Sequence, residues 1–590
     1  MYQEALKNLP KKQAAYRPFP RFEEREVWER LSEQRKERLA ERGRKNLQDP
    51  LPEISRALWD DYFLSGRRAP FEAVYFARRK ILNRLVLAYC VTPEEPLLKR
   101  IEELTESLLR EGSWCLPPHH RFSENEPLMR VPDPQKPVID LFAAETGAQL
   151  AVLHYLLNEE LPEALLAAIE KEIKQRILKP YLNNYYWWMG KEGEKLMNWT
   201  PWCTQNVLLT AYFLTGDIAP YLPKACKSLD GFVRSYGDDG CCDEGVQYYR
   251  KAALALWGAT ELMASIYPEA FSPIFSEPKI KNMAHYIIRM YIAGPWYFNF
   301  ADCSAKPGPC GIEEYLFGLR TGDAELSGKA GADLKNRELF PDETLDIGGI
   351  NLWSELLTLF YAEDAIAQAA EPGPKEDFYF PSTGIFLCER GIYNLAVKAG
   401  DNADSHNHND TGSFILFAEG EPLFIDVGVE TYSAKTFSAE RYEIWTMRSS
   451  WHNLPAFGAV EQKPGPSFRA KNIEIDFPEI TMDIADAYPP IEGLSFYQRR
   501  IALSEEGMRL EDTTDYPEEV SLSLMSVLRP VREEEGIRFG RYQLDTGAAE
   551  LSDIDAIAIE DPRLRRAWPA RLYRTRLRFK KQAVLTLRKI

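Results

Sequence analysis

Apolar residues recur at helical spacing from Pro70 to about Ala370, as in FEAVYFARRKILNRLVLAYC (71–90), VIDLFAAETGAQLAVLHYLL (138–157) and VQYYRKAALALWGATELMASIY (246–267). This half is predicted to be mostly helical, with roughly eight to twelve segments. Short breaks containing Pro and Gly, after Leu178 and across 268–278, separate them and predict antiparallel helix pairs. No fixed period is visible, so the pattern leaves both a solenoid and a closed ring of hairpins open.

Across AEPGPKEDFYFPSTG (370–384) the pattern changes: Pro and Gly cluster, and the segments that follow are short and rich in β-branched and aromatic residues. GIFLCERGIYNLAVKAG (384–400), SFILFAEGEPLFIDVG (413–428) and RRIALSEEGMRLEDTTDY (499–516) each read as two strands around a Gly-bearing turn. The expected organisation is a helical flank over 1–60, a helical domain over 61–372 and an antiparallel β-sandwich over 373–590. In the flank, WERLSEQRKERLAERGRKNL (28–47) reads as one charged, exposed helix.

The 590 residues are 45% hydrophobic and 27% charged, which is ordinary for a soluble globular chain and excludes disordered and fibrous classes. A net charge of −17 argues against a nucleic-acid binder, which needs a positive surface to displace counterions. No run of 18 apolar residues is present, so no membrane partner is expected. The opening MYQEALKNLPKKQAAYRPFPRF has no apolar stretch of signal-peptide length, and the expected location is the cytoplasm. Nine cysteines, with Cys241 and Cys242 adjacent and no C-x-x-C, read as buried free thiols rather than a disulfide framework.

Three of the seven histidines, His406, His408 and His452, fall in one short stretch. In DSHNHND the first two stand at i and i+2, which on an extended strand sends both side chains to one face. Downstream, PLFIDVG places Asp426 at the end of an apolar strand, where a lone carboxylate is costly to bury. Two imidazoles and a carboxylate suit zinc; hydrogen bonds from turn amides to Asp426, with the histidines as polar loop residues, suit the pattern equally.

In the helical half, YLNNYYWWMGKEGEKLMNWTPWCTQN (181–206) interleaves aromatics with amides, as either core packing or a sugar cleft does. DDGCCDEGVQYYR (238–250) opens a long helix with Glu244 in a Gly-bearing turn, followed by Tyr248 and Tyr249.

Together these motifs resemble the heparinase II/III-like polysaccharide lyases and their oligo-alginate lyase relatives. The resemblance is carried by SHNHND, PLFIDVG, Tyr432 and MRSSWHN followed by Gln462 over 404–462, and by NW and EGVQY over 181–250. It implies an incomplete (α/α) toroid followed by an antiparallel β-sandwich. It also implies β-elimination of a uronic-acid glycan, whether heparin or heparan sulfate, hyaluronan, chondroitin sulfate or alginate. Carried over, Asn198 neutralises the sugar carboxylate, Tyr248 is the acid and potentially the base, and His406 does base or neutralising work. Trp199, Glu244, Tyr249, Tyr432 and Arg448 line the substrate cleft, and His408, Asp426 and His452 hold a structural zinc. NWTPWCTQN lacks the histidine that some relatives have near the neutralising asparagine, which brings Gln205 and Asn206 into consideration. Two other functions stay open. One is a hydrolase using two carboxylates among Asp238, Asp239, Asp243, Glu244 and Asp302; the other is a glycan-binding protein without catalysis.

Overall fold

The computed structural model describes residues 1–48, 50–123, 126–191, 193–336, 350–534 and 536–590. The long apolar runs are helices: Ala69–Val91, Leu141–Leu156 and Val246–Ile266. Asp140 starts the second by accepting the Ala143 N–H at 2.7 Å, which satisfies a donor that has no partner within the helix. Leu141–Leu156, Trp199–Thr215, Val246–Ile266, Ile312–Thr321 and Leu352–Ala367 pack in succession, and the last returns to the first. That closure makes the helical half a toroid and excludes the solenoid.

Two expectations for this half are corrected. Residues 1–60 are not a single exposed helix: Tyr2 and Trp28 are fully buried, and Glu33–Gln48 packs along Ala69–Val91. Its charges face solvent while Leu39 and Ala40 turn inward. The chain also does not break after Leu178. Glu163–Ile173 passes through a π turn, Lys174–Leu178, into Lys179–Asn183; the wider turn takes up Pro180, which has no N–H to donate.

The Pro/Gly-rich stretch lies between the last helix and the first sandwich strand, Phe378–Phe380. Each of the three Gly-turn segments is a hairpin: Ile385–Arg390 with Tyr393–Lys398, Phe414–Ala418 with Glu421–Phe424, and Tyr497–Leu503 with Gly507–Thr514. Among the described residues the strands form an eight-stranded and a nine-stranded antiparallel sheet and two two-stranded ones.

The nine-stranded sheet is apolar on both faces, and this places the functional site. Alternation sends Phe414, Leu416 and Ala418 into the sandwich core, while Ile415 and Phe417 join the core of the toroid. Ile385 and Leu387 face the toroid, and Phe386 and Cys388 face the other sheet. Two domains are thus bonded through one shared sheet, and the loops at its edge meet the ends of the toroid helices. No described helix is long and apolar enough to cross a membrane, and all nine cysteines are free and buried.

Candidate active site and metal centre

Two glycines bring the site together. Gly245 (φ 88°) caps Val246–Ile266; a Cβ there would lie 2.6 Å from the Phe300 carbonyl oxygen. Gly428 (φ 79°) packs on the same loop from the sandwich side, where a Cβ would lie 2.7 Å from the Cys303 carbonyl oxygen. Only glycine tolerates both the positive φ and the approach. The loop around residues 299–303 is therefore pinned between Glu244–Tyr248 and the segment bearing Asp426, with Asp302 at its centre. Ala301 (φ 59°) and His406 (φ 57°) are both left-handed without being glycine, so backbone strain is concentrated on either side of the Asp302–His406 contact.

Asp302 is completely buried and serves four groups. His406 Nδ1 lies 2.8 Å from one of its oxygens, which also accepts the Tyr432 hydroxyl at 3.1 Å. The other oxygen accepts Arg441 Nη2 at 2.6 Å and lies 3.1 Å from His408 Nε2. The far nitrogen of His406, Nε2, is 3.2 Å from Glu244, and Glu244 accepts the Asn198 side-chain amide at 2.6 Å. The Tyr248 ring stacks on His406 with centroids 4.4 Å apart, and its hydroxyl is 2.6 Å from that of Tyr432. Residues from both domains form one continuous hydrogen-bonded chain.

Burial pushes the Asp302 carboxyl up, but His406, His408 and Arg441 more than reverse this and hold it well below the carboxylate range. Burial also opposes a charge on His406, yet Tyr248, Asp302 and Glu244 hold its pKa well above the usual imidazole value. Glu244 and Tyr432 are both raised, chiefly by burial, Tyr432 also by Asp302.

Next to this chain, the ligating atoms of His408, Asp426 and His452 lie within 4.8 Å of one another, and all three side chains are buried. Asp426 spends one oxygen on the Gly428 amide at 2.7 Å. Its other oxygen, His408 Nδ1 and both nitrogens of His452 make no hydrogen bond. His452 Nδ1 is 2.9 Å from Asp426 but misaligned for donation. Orphaned lone pairs converging on one point are costly without a cation and match a divalent metal's donor set. Asp302 fixes His408 through its other nitrogen, as carboxylates behind metal-binding imidazoles do.

Residues 372–454, which contain His406, His408, Asp426, Tyr432 and His452, match the family model described as heparinase II/III-like, C-terminal. The match covers the start of the sandwich, from its first strand to the loop of His452, the last of the three clustered histidines. Solved structures resemble the whole chain: heparinase III at 15% identity and TM-score 0.59, covering 98% of this chain and 93% of that one. A mutant heparan sulfate lyase from Pedobacter heparinus follows at 13% identity and TM-score 0.55, covering 100% and 87%. Chondroitin AC lyase from Streptomyces coelicolor A3, in complex with chondroitin sulphate, does so at 12% and 0.55, covering 100% and 82%. At these identities the likeness is one of fold. No curated protein sequence matches the chain.

The junction of the toroid and the sandwich gathers Asn198, Glu244, Tyr248, His406 and Tyr432. Trp199 is half-buried beside them and packs on Trp187 and His119, with centroids at 4.7 and 4.8 Å. Phe437, 53% exposed, lies 5.0 Å from the Tyr432 ring and 6.2 Å from that of His406.

Other expected members are corrected. Tyr249 is rotated about 100° from Tyr248 around the helix; it is fully buried and donates to the Ala284 carbonyl at 3.1 Å, so it lines no cleft. Arg448 is held bidentately by Glu461, at 2.9 and 3.0 Å, so its guanidinium charge is already paired. Asn206 donates to the Trp202 carbonyl and Gln205 packs against Gly258, both inside the helix bundle. His406 and His408 do not share the face of a strand: they lie in a loop, and the left-handed turn at His406 aims one ring at Tyr248 and the other at His452.

Asp302 appeared in the sequence only as one of several loose acids, and Arg441 and Arg563 did not appear at all. Each comes from a segment far along the chain with no local pattern around it, so only the fold reveals them.

Proposed function

We propose that the protein is a polysaccharide lyase that cleaves a glycosaminoglycan-type, uronic-acid-containing glycan by β-elimination. The C5–H bond breaks and its proton goes to a base, its electrons form the C4=C5 double bond, the C4–O4 bond breaks, and O4 leaves with a proton. In this reading deprotonated Tyr248 takes the C5 proton and returns it to O4, so the side chain ends as it began.

His406 is assigned to holding positive charge near the sugar carboxylate, through space, rather than to the base. Both its nitrogens face carboxylates, at 2.8 and 3.2 Å, and whichever atom carries the proton between Nε2 and Glu244, Nε2 is not a free acceptor. Asn198 assists through the amide N–H that Glu244 leaves free. Tyr248 and His406 meet ring to ring with no space for a sugar between them, so the pyranose is expected to sit against their edges, within reach of Trp199 and Phe437. Hydrolysis by Glu244 and Asp302 fits less well, because both acids are engaged on His406.

Zinc held by His408, Asp426 and His452 would supply a rigid tie between the sandwich loops and contribute to folding. Asp302 would hold His408 in register for it.

The observation that carries this reading is the stacking of Tyr248, from the toroid, on His406, from the sandwich, at 4.4 Å. The test is near-ultraviolet absorbance of unsaturated product over a panel of uronic-acid polymers and oligomers. At least one should give a rise that Tyr248→Phe abolishes, and a silent panel would refute the assignment.

A further inference from the structure

The strands Glu550–Ala558 and Arg571–Phe579 are joined by a loop that folds back onto the site. Asp561 fixes its turn by accepting the Arg563 and Leu564 amides at 2.9 and 3.0 Å, and its second oxygen accepts the amide of Thr431, next to Tyr432, at 3.0 Å. Trp568 donates to the Val427 carbonyl at 2.8 Å and stacks on Trp296 of the toroid. Clamped from both sides, the loop holds Arg563 against the tyrosine pair. Its guanidinium lies 4.3 Å from the Tyr432 ring centroid, and Nη2 reaches the Asp302 carbonyl at 3.1 Å and the Gln247 side chain at 3.3 Å.

We infer that Arg563 is a positioning residue of the site, holding Tyr432, and through it the Tyr248 hydroxyl, in the arrangement and charge environment that let Tyr248 carry the proton; this rests on the lyase reading above. The neighbouring arginines are already neutralised: Arg441 by Asp302, Arg68 by Glu72 and Arg448 by Glu461. None of the ion pairs among the described residues uses Arg563. A partly buried cation without a carboxylate is costly to keep. What it faces is the Tyr432 ring and, beyond it, the Tyr248 hydroxyl, where negative charge would gather if Tyr248 gives up its proton. The other groups facing that pair are His406, stacked on Tyr248, and the Asp302 carboxylate on the Tyr432 hydroxyl, with Arg441 and Glu244 behind them. Arg563 is the one that approaches from the sandwich's C-terminal loop. Its guanidinium also ties together the start of the Tyr248 helix, the Asp302 loop and the Tyr432 segment.

The test is a double-mutant cycle on kcat and KM with Arg563→Met, Tyr432→Phe and the pair, using whichever panel substrate the wild type cleaves. Arg563→Met should lower kcat on the order of 10²-fold with KM changed by less than about threefold, and shift the pH optimum upward. The double variant should be no slower than the slower single variant. Arg563→Lys, which keeps the charge but loses the planar fork, should recover part of kcat and the wild-type pH optimum. Should Arg563→Met melt early, Arg563→Gln, which also removes the charge, carries the same cycle. An unchanged kcat, a rise in KM alone, or losses that multiply in the double variant would overturn the inference while leaving the lyase assignment intact. A wild type silent on the whole panel would overturn both.

Discussion

Two of the molecule's buried charge clusters are built differently. Inside the sandwich, Arg499 and Asp512 are both fully buried, and each guanidinium nitrogen and carboxylate oxygen has a partner. The guanidinium is bidentate on the carboxylate at 2.9 and 2.7 Å, its remaining nitrogen serves the Gly412 and Asn453 carbonyls at 2.8 Å each, and Tyr497 donates to Asp512 at 2.7 Å. The left-handed backbone in this cluster is at a glycine, Gly412 (φ 92°), where it carries no strain. At the junction with the toroid, Asp302 is as deeply buried, yet the surrounding groups are left incomplete. His408, His452, Asp426 and Asn198 each keep an orphaned polar atom, and Ala301 and His406 are strained. A fully satisfied buried cluster stabilises a fold and does little else. Unmet lone pairs and strain held in place by their surroundings mark a region arranged for something not part of the chain.

That contrast can be broken or sharpened at several points. The largest effect on turnover is expected for Tyr248→Phe, about a 10³-fold loss of kcat with the melting temperature little changed, since the hydroxyl serves the reaction rather than the core. Asp302→Asn should follow, on the order of 10²-fold, because one charge orients His406, His408 and Tyr432 together. It should also cost about 3–5 kcal/mol of stability by leaving Arg441 unpaired, which denaturant melts would read. Metal removal comes next. Elemental analysis of purified protein should find one zinc per chain, and a chelator should lower the melting temperature by about 5 °C or more with a turnover loss smaller than that of Asp302→Asn. Metal-free protein indifferent to the chelator would contradict the centre. Least affected in turnover is Arg499→Met: stability should fall by about 3–5 kcal/mol while kcat per folded molecule stays at the wild-type value. A large kcat loss in that variant would erase the distinction between the two clusters.

Local periodicity carried much of this. The helix Val246–Ile266 and the three hairpins were legible because their signals lie within one element. The histidine motif was legible because its members are close in sequence. Its geometry was not: strand alternation predicted parallel side chains at His406 and His408, and the left-handed turn at His406 gives a different result. Tyr248 and Tyr249 are adjacent letters, and only the helix phase separates the ring that stacks on His406 from the one packed in the core. Ring closure and the assembly at Asp302 depend on contacts between distant segments, such as the 139 positions separating Asp302 from Arg441. Pattern within a window carries no information about such pairs.

The most direct measurement weighs the products of one defined oligosaccharide cleaved by the purified protein. If the Tyr248–His406 junction performs elimination, the two fragment masses sum to that of the substrate, and one fragment absorbs in the near ultraviolet. Fragments that together outweigh the substrate by one water would mean hydrolysis and would contradict the account.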